Sequence, residues 1–105
     1  MVKTPLTVRA LQAHIKAIDH HPDKKHEVVL KLFEEVGELS VEMRHEHQRG
    51  LTEEQKTKIK YELYDVLHYV THIANIYGID LEEAIREKDA LNAKKYREQG
   101  GLTND

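Results

Sequence analysis

Apolar residues recur at intervals of three and four along most of this 105-residue chain, in four stretches separated by glycine, proline or polar breaks. That interval is typical of α-helices with one apolar face, whereas a half-buried strand alternates every second residue. The first stretch follows Thr7, a residue type that caps helix amino termini, and ends before a break at residues 20–22. Its apolar positions are Val8, Leu11, Ile15 and Ile18. The pattern predicts an all-α protein whose first helix is amphipathic.

The two middle stretches are the longest and predict the main pair of helices. The earlier one should span about residues 23–48. Its apolar stripe comprises Val28, Leu32, Val36, Leu39 and Met43. The later one should begin at a capping box formed by Thr52 and Gln55 and end before Gly78. Its stripe comprises Ile59, Leu63, Val66, Val70, Ile73 and Tyr77. A short connection between the two helices favours antiparallel packing.

A fourth helix should begin after Asp80, with Glu83 repeating the capping device. Beyond it the sequence becomes a polar tail from about residue 99. We therefore expect residues 1–105 to form a single domain, a four-helix bundle. Its apolar stripes are wider than one small subunit can cover, so we expect a homodimer or a homotetramer to complete the bundle.

Composition narrows the classes of function. The chain has 16 Lys and Arg against 19 Asp and Glu, a net charge of −3 without a basic block, which disfavours nucleic-acid binding. No apolar run approaches the roughly 18 to 20 residues that span a bilayer, and the amino terminus does not resemble a secretory signal. Without cysteine, any chemistry must come from carboxylates, histidines, lysines or hydroxyls. We expect a soluble cytoplasmic protein with no membrane partner.

Four carboxylates border the apolar stripes of the two middle helices. On a helical wheel, Glu35 and Glu38 lie beside one stripe, and Glu62 and Asp65 lie beside the other. Antiparallel packing would gather all four in one cleft. Glu38 also belongs to a ladder of like charges in which nothing at helical spacing neutralises it, so a bound cation is the economical explanation. Oxygen ligands favour Mg²⁺, with Mn²⁺ as a possible substitute.

The same acids carry a resemblance to a known family. Residues 34–39, Glu-Glu-Val-Gly-Glu-Leu, and the later Glu62-x-x-Asp65 are similar in order and spacing to the EExxE…ExxD signature of MazG-like nucleoside triphosphate pyrophosphohydrolases. The resemblance covers about residues 28–97. It implies a MazG-like bundle and magnesium-dependent hydrolysis of nucleoside or deoxynucleoside triphosphates to the monophosphate and pyrophosphate, in a nucleotide-cleansing role. The metal ligands that it implies are Glu35, Glu38, Glu62 and Asp65.

The implied reaction gives further residues a role. The attacking water would lose its proton to Glu34 or Glu35, and which of them accepts it stays open. The fourth helix resembles the family's phosphate-side segment, since Lys and Arg bind phosphate oxygens and Asn or Tyr can orient them. These candidate substrate-binding residues are Lys88, Asn92, Lys95, Tyr96 and Arg97. Basic residues also suit the last turn of any helix, so a purely local role is the alternative.

Two other functions stay open at this point. One is a non-catalytic helical interaction or oligomerisation module, in which the acids serve only solubility, as most exposed glutamates do. The other is a phosphoribosyl-ATP pyrophosphatase, which is similar to the MazG-like enzymes in fold and chemistry. The shared motif does not carry the contacts that select the base.

Histidines suggest a rival metal chemistry. Glu42-x-x-His45 and Asp65-x-x-His68 have the acid–histidine spacing of carboxylate-bridged di-iron bundles, but the first helix lacks the glutamates that such bundles use. His68 and His72 are an i, i+4 pair able to bind zinc or nickel, yet two ligands do not close a site. For His72 we expect a place on the polar surface, and contact with a phosphate or a base is the alternative.

Overall fold

The computed structural model describes residues 1–98, and these form four α-helices in the predicted order. The helices are α1 Val8–Ile18, α2 Lys25–Arg49, α3 Glu53–Ile76 and α4 Leu81–Glu98. No strand occurs within residues 1–98, so the all-α fold class is confirmed. The predicted polar tail from about residue 99 lies outside the described residues. None of the four helices combines the length and the hydrophobicity that a membrane crossing needs.

Threonine side chains begin α1 and α3 as predicted. Thr7 Oγ1 accepts a hydrogen bond from the amide of Ala10, and Thr52 Oγ1 accepts one from the amide of Gln55, each at 3.0 Å. Only this half of the predicted capping box forms. The Gln55 side chain turns instead to α2, where it donates to the main-chain carbonyl and the carboxylate of Glu42 at 2.7 and 2.9 Å. The start of α3 is thereby fastened to α2.

Helices α2 and α3 form an antiparallel hairpin, which is the largest contact of the fold. The chain reverses at Gly50, whose φ of 84° is a conformation that side chains rarely adopt. Near this turn Gln55 binds Glu42, while at the far end Val28 and His72 line the same cavity. The hairpin therefore holds the middle segments of both helices face to face.

The buried core of one chain is small and lies mainly where α1 packs against α3. Its apolar members are Leu11, Ile15, Val28 and Ala74. Thr71 and His72 are buried with them on the face of α3 that α1 covers, so α3 also contributes polar side chains to the core. Members of the predicted stripes such as Val36, Met43 and Leu63 are exposed in the single chain. One chain therefore covers only part of the predicted stripes.

Gln12 of α1 organises the turn between α3 and α4. Its side-chain amide donates to Asn75 Oδ1 at 3.1 Å and to the Ile79 carbonyl at 2.8 Å, and its oxygen accepts from the Leu81 amide at 2.9 Å. Asn75 donates in return to the Gln12 carbonyl at 2.9 Å. The buried side chain of Gln12 thus provides hydrogen-bond partners for the backbone groups of Ile79 and Leu81, where α4 begins.

Helix α4 stands apart from the hairpin. Within residues 1–98 it packs chiefly on α1, where Arg9 pairs with Asp80 at 2.8 Å and with Glu82 at 3.4 Å. None of its residues is buried, and Ile85 and Leu91 are more than half exposed. A single chain therefore leaves the bundle open along α4.

Replacing Gln12 with leucine should lower the free energy of unfolding by about 1–3 kcal/mol, because the Ile79 carbonyl and the Leu81 amide lose their partner. Urea unfolding followed by circular dichroism measures the change. Gln48→Leu, on the exposed surface of α2, is the matched control and should stay within about 0.5 kcal/mol of the wild type. A Gln12→Leu protein as stable as the wild type would contradict this account of the junction.

Candidate metal centre

Carboxylates from α2 and α3 converge in the middle of the hairpin. One oxygen each of Glu35, Glu62 and Asp65 lie within 4.8 Å of one another. A second group with the same spacing comprises Glu34, Glu35 and Glu38. Glu35 belongs to both groups, so these five carboxylates form one continuous site, which we call the acidic cluster.

Helical spacing and the hairpin together produce this convergence. Glu35 and Glu38 are separated by three positions on α2, as are Glu62 and Asp65 on α3, so each pair shares one helix face. The antiparallel packing turns the two faces toward each other. The four residues predicted as metal ligands therefore lie together, with Glu34 beside them.

Burial and electrostatic repulsion raise the pKa values of two members of the cluster, Glu35 and Glu62. Partial burial is the largest cause that raises the pKa of Glu35 from 4.5 to about 7, followed by the charges of Glu38, Asp65, Glu62 and Glu34. Burial, together with the nearby Glu38 and Asp65, also raises the pKa of Glu62. The packing of the hairpin thus holds these acids closer than their charges favour.

A buried oxygen atom of Glu62 is a second reason, besides the negative charge, to expect a divalent cation in the cluster. The Oε2 atom of Glu62 is buried and has no hydrogen-bond partner, an arrangement that costs free energy unless a ligand satisfies the oxygen. Within residues 1–98, Lys31 forms an ion pair with the cluster: its Nζ atom lies 3.6 Å from Glu34 Oε1, at the exposed edge. The ligand atoms offered are all carboxylate oxygens, which suit Mg²⁺ or Mn²⁺.

The candidate substrate-binding residues do not reach the acidic cluster within one chain. They lie on α4 beyond its contact with α1, and all of them are exposed or half-buried. These residues are Lys88, Asn92, Lys95, Tyr96 and Arg97. Their role in substrate binding stays a prediction.

A cavity adjoins the acidic cluster toward the amino terminus of α2. Val28 and Tyr69 form part of its wall, and Lys24 and Lys31 contribute ammonium groups. Lys31 also pairs with Glu34, so the cavity and the cluster are neighbours. An apolar and aromatic wall beside cations is a suitable setting for a nucleotide next to a metal centre.

The histidines adopt roles that sequence spacing did not indicate. His72 is only 1% exposed, so the predicted surface position is wrong, because α1 and the segment after it cover the ring. His45 pairs with Glu42 at 3.5 Å, whereas His68 contacts Asp19 at 2.8 Å. Within residues 1–98, the two acid–histidine motifs therefore do not meet in one di-iron type of site.

Comparisons with known proteins agree with this geometry. The model of the MazG nucleotide pyrophosphohydrolase domain matches residues 23–98, which include the whole acidic cluster. A curated relative, the dATP/dGTP diphosphohydrolase of Cyanophage S-2L, is 36% identical over 91 residues, which cover 84% of this chain and 75% of the relative.

Two crystal structures of iMazG from Vibrio DAT 722 have the same fold. The form with an amino-terminal tag has a TM-score of 0.72 and 40% identity, and the match covers 87% of this chain and 98% of that one. The form with a carboxyl-terminal tag has a TM-score of 0.71 and 39% identity, with 84% and 99% covered.

The raised pKa of Glu35 predicts how pH affects the metal-free protein. Because the folded state binds this proton more tightly than the unfolded chain, the contribution of Glu35 to stability is complete below pH about 4.5 and is lost as pH rises through about 7. Glu35→Gln removes the titration. In a chelating buffer, calorimetry should therefore show the variant gaining melting temperature over the wild type at pH about 8 but not at pH about 4.5. An equal difference between the two proteins at both pH values would contradict the assignment.

Proposed function

The chain belongs to the MazG nucleotide pyrophosphohydrolase family, and we propose that it hydrolyses nucleoside or deoxynucleoside triphosphates to the monophosphate and pyrophosphate with Mg²⁺ as cofactor. The acidic cluster is the observation that carries the proposal. It presents carboxylate oxygens from two helices, and one of them, on Glu62, is buried without a partner. A helical module that only binds other proteins has no need of such a group.

Glu35, Glu38, Glu62 and Asp65 would hold the cation. A triphosphate carries about four negative charges and is repelled by bare carboxylates. It can therefore bind only when cations offset the negative charge of the acidic cluster. Mg²⁺, when bound, neutralises the phosphate chain and polarises the phosphoryl group under attack. Mn²⁺ has similar ligand preferences and should substitute for it.

Glu34 is our preferred proton acceptor for the attacking water. Its carboxylate lies within 4.8 Å of those of Glu35 and Glu38, but at the exposed edge of the cluster. Glu35, the other candidate, belongs to both carboxylate groups and would therefore be occupied as a ligand. Lys31, 3.6 Å from Glu34, would orient that carboxylate.

We propose a homodimer or homotetramer that brings α4 of one protomer to the acidic cluster of another. Apolar side chains on the outside of the hairpin support this, since Phe33, Leu63 and Leu67 are 64%, 54% and 44% exposed. In that assembly α4 would supply cations and hydrogen-bond donors to the phosphates. The residues concerned are Lys88, Asn92, Lys95, Tyr96 and Arg97.

Removal of damaged or surplus nucleotides from the cytoplasmic pool is the role we propose for the reaction. The Cyanophage S-2L relative is named for dATP and dGTP, so purine deoxynucleotides are the first substrates to test. The base selected by this chain is a question for a screen over standard and damaged triphosphates with Mg²⁺ present.

Glu38→Gln should lower Mg²⁺-dependent pyrophosphate release at least about tenfold, because it removes a charged metal ligand while keeping size and helix propensity. Glu46→Gln is the matched control, since this glutamate continues the same row on α2 outside the cluster, and it should leave release unchanged. Circular dichroism checks that both variants keep their helices. Full activity of Glu38→Gln would sink the proposed metal site.

Light scattering at micromolar concentration should give two or four times the 12.3 kDa chain mass. Leu63→Glu should shift the mass toward that of one chain, because it places a charge on the exposed apolar face of α3. Lys60→Glu, a charge change at an already polar exposed position, is the control. A strictly monomeric wild type would refute the assembly.

A further inference from the structure

A second group of metal-binding side chains lies outside the acidic cluster, between the end of α1 and the face of α3. Asp19, His68 and His72 each offer a ligand atom within 4.8 Å of the others. His21 adds an imidazole whose Nε2 atom is 3.1 Å from Asp19 Oδ1. We propose that these four residues bind a transition-metal ion of the zinc class, at a site separate from the Mg²⁺ centre.

Asp19 is the centre of this histidine site. Its Oδ2 atom lies 2.8 Å from His68 Nε2 and 3.5 Å from His72 Nδ1. Ligands of a tetrahedral zinc ion stand about 3.3 Å apart when each bond is about 2.0–2.1 Å long. The spacing of the three side chains is therefore close to that of the ligands of a tetrahedral cation.

Local structure explains why the four residues meet. His68 and His72 are one turn apart on α3 and so share a helix face. Asp19 is the residue that ends α1, and its cap amide is bonded to the Ile15 carbonyl at 2.7 Å. His21 follows two residues later, in the turn before α2. The packing of α1 against α3 joins an H-x₃-H pair to a D-x-H pair.

His72 supplies an independent observation. Its side chain is 1% exposed, and its Nδ1 atom is buried without a hydrogen-bond partner. A buried ring nitrogen without a partner is costly, and an ion bound at Nδ1 would satisfy it. Burial also lowers the pKa of this imidazole, which keeps it in the neutral form that binds metals.

Binding requires one rearrangement at His72. The main-chain amide of His21 donates to His72 Nε2 at 3.0 Å, which leaves the ring proton on Nδ1. When the ion takes the Nδ1 lone pair, that proton moves to Nε2 and the His21 amide gives up its bond. His21 is exposed in the turn between α1 and α2, so its backbone can shift as its own imidazole turns to the ion.

The donor set separates this site from the acidic cluster. Three imidazoles and one carboxylate suit Zn²⁺, Ni²⁺ or Co²⁺, whereas Mg²⁺ binds oxygen ligands almost exclusively. An ion here would tie the end of α1 to α3. It would also stabilise one wall of the cavity beside the acidic cluster, because Asp19, His21 and His72 line that cavity.

Zinc titration calorimetry on the full chain, with Mg²⁺ in excess to fill the acidic cluster, tests the site. We expect one Zn²⁺ per chain, a higher melting temperature with Zn²⁺, and a tetrahedral visible spectrum with Co²⁺. His68→Gln and Asp19→Asn should each weaken zinc binding at least about tenfold. His47→Gln, the same substitution at an exposed position of α2, is the matched control and should bind as the wild type does.

Four outcomes would overturn the proposal: no stoichiometric zinc binding, unchanged affinity in His68→Gln, an equal loss in His47→Gln, or an octahedral Co²⁺ spectrum. Glu38→Gln separates the two sites, because it should retain zinc binding while losing Mg²⁺-dependent hydrolysis. Circular dichroism shows whether each variant is folded. If His68→Gln does not fold, Asp19→Asn decides the outcome.

Discussion

Repulsion among carboxylates that helix packing holds together is the constraint on which the rest of this molecule depends. The α2–α3 hairpin, reversed at Gly50 and fastened by Gln55, keeps Glu35 and Glu62 partly buried among other acids. Burial and like charges raise their pKa values, so the metal-free hairpin carries an electrostatic cost that a divalent cation relieves. The acids that reduce the stability of the empty site are therefore the ones that we propose as ligands of the cation, which a phosphate chain would then follow.

The single chain provides this centre but not a complete enclosure for a substrate. Helix α4 is held to α1 by the Gln12 junction and by Arg9, and it buries none of its own residues. The outer face of the hairpin is likewise apolar and exposed. In the assembly that we propose, a second copy of the chain would cover these surfaces and bring the candidate phosphate-binding side chains of α4 to the acids.

Features that depend on local sequence were predictable. Features that depend on which face of a helix its neighbour covers were not. The four helices and the Thr7 and Thr52 caps follow from periodicity and from the hydrogen bond of one side chain to a nearby amide. The convergence of acids follows from helical spacing and a short turn. Burial of His72 was missed, because the face of α3 that α1 covers depends on tertiary packing. Asp19 was missed as a partner of His68 for the same reason, since 49 positions separate them.

The most direct measurement is a crystal structure with Mn²⁺ and a non-hydrolysable deoxynucleoside triphosphate, analysed by the anomalous scattering of manganese. We expect anomalous peaks bonded to Glu35, Glu38, Glu62 and Asp65, with the phosphate chain bound to the same ions. Those side chains extended into solvent, with manganese and phosphate located elsewhere, would contradict it.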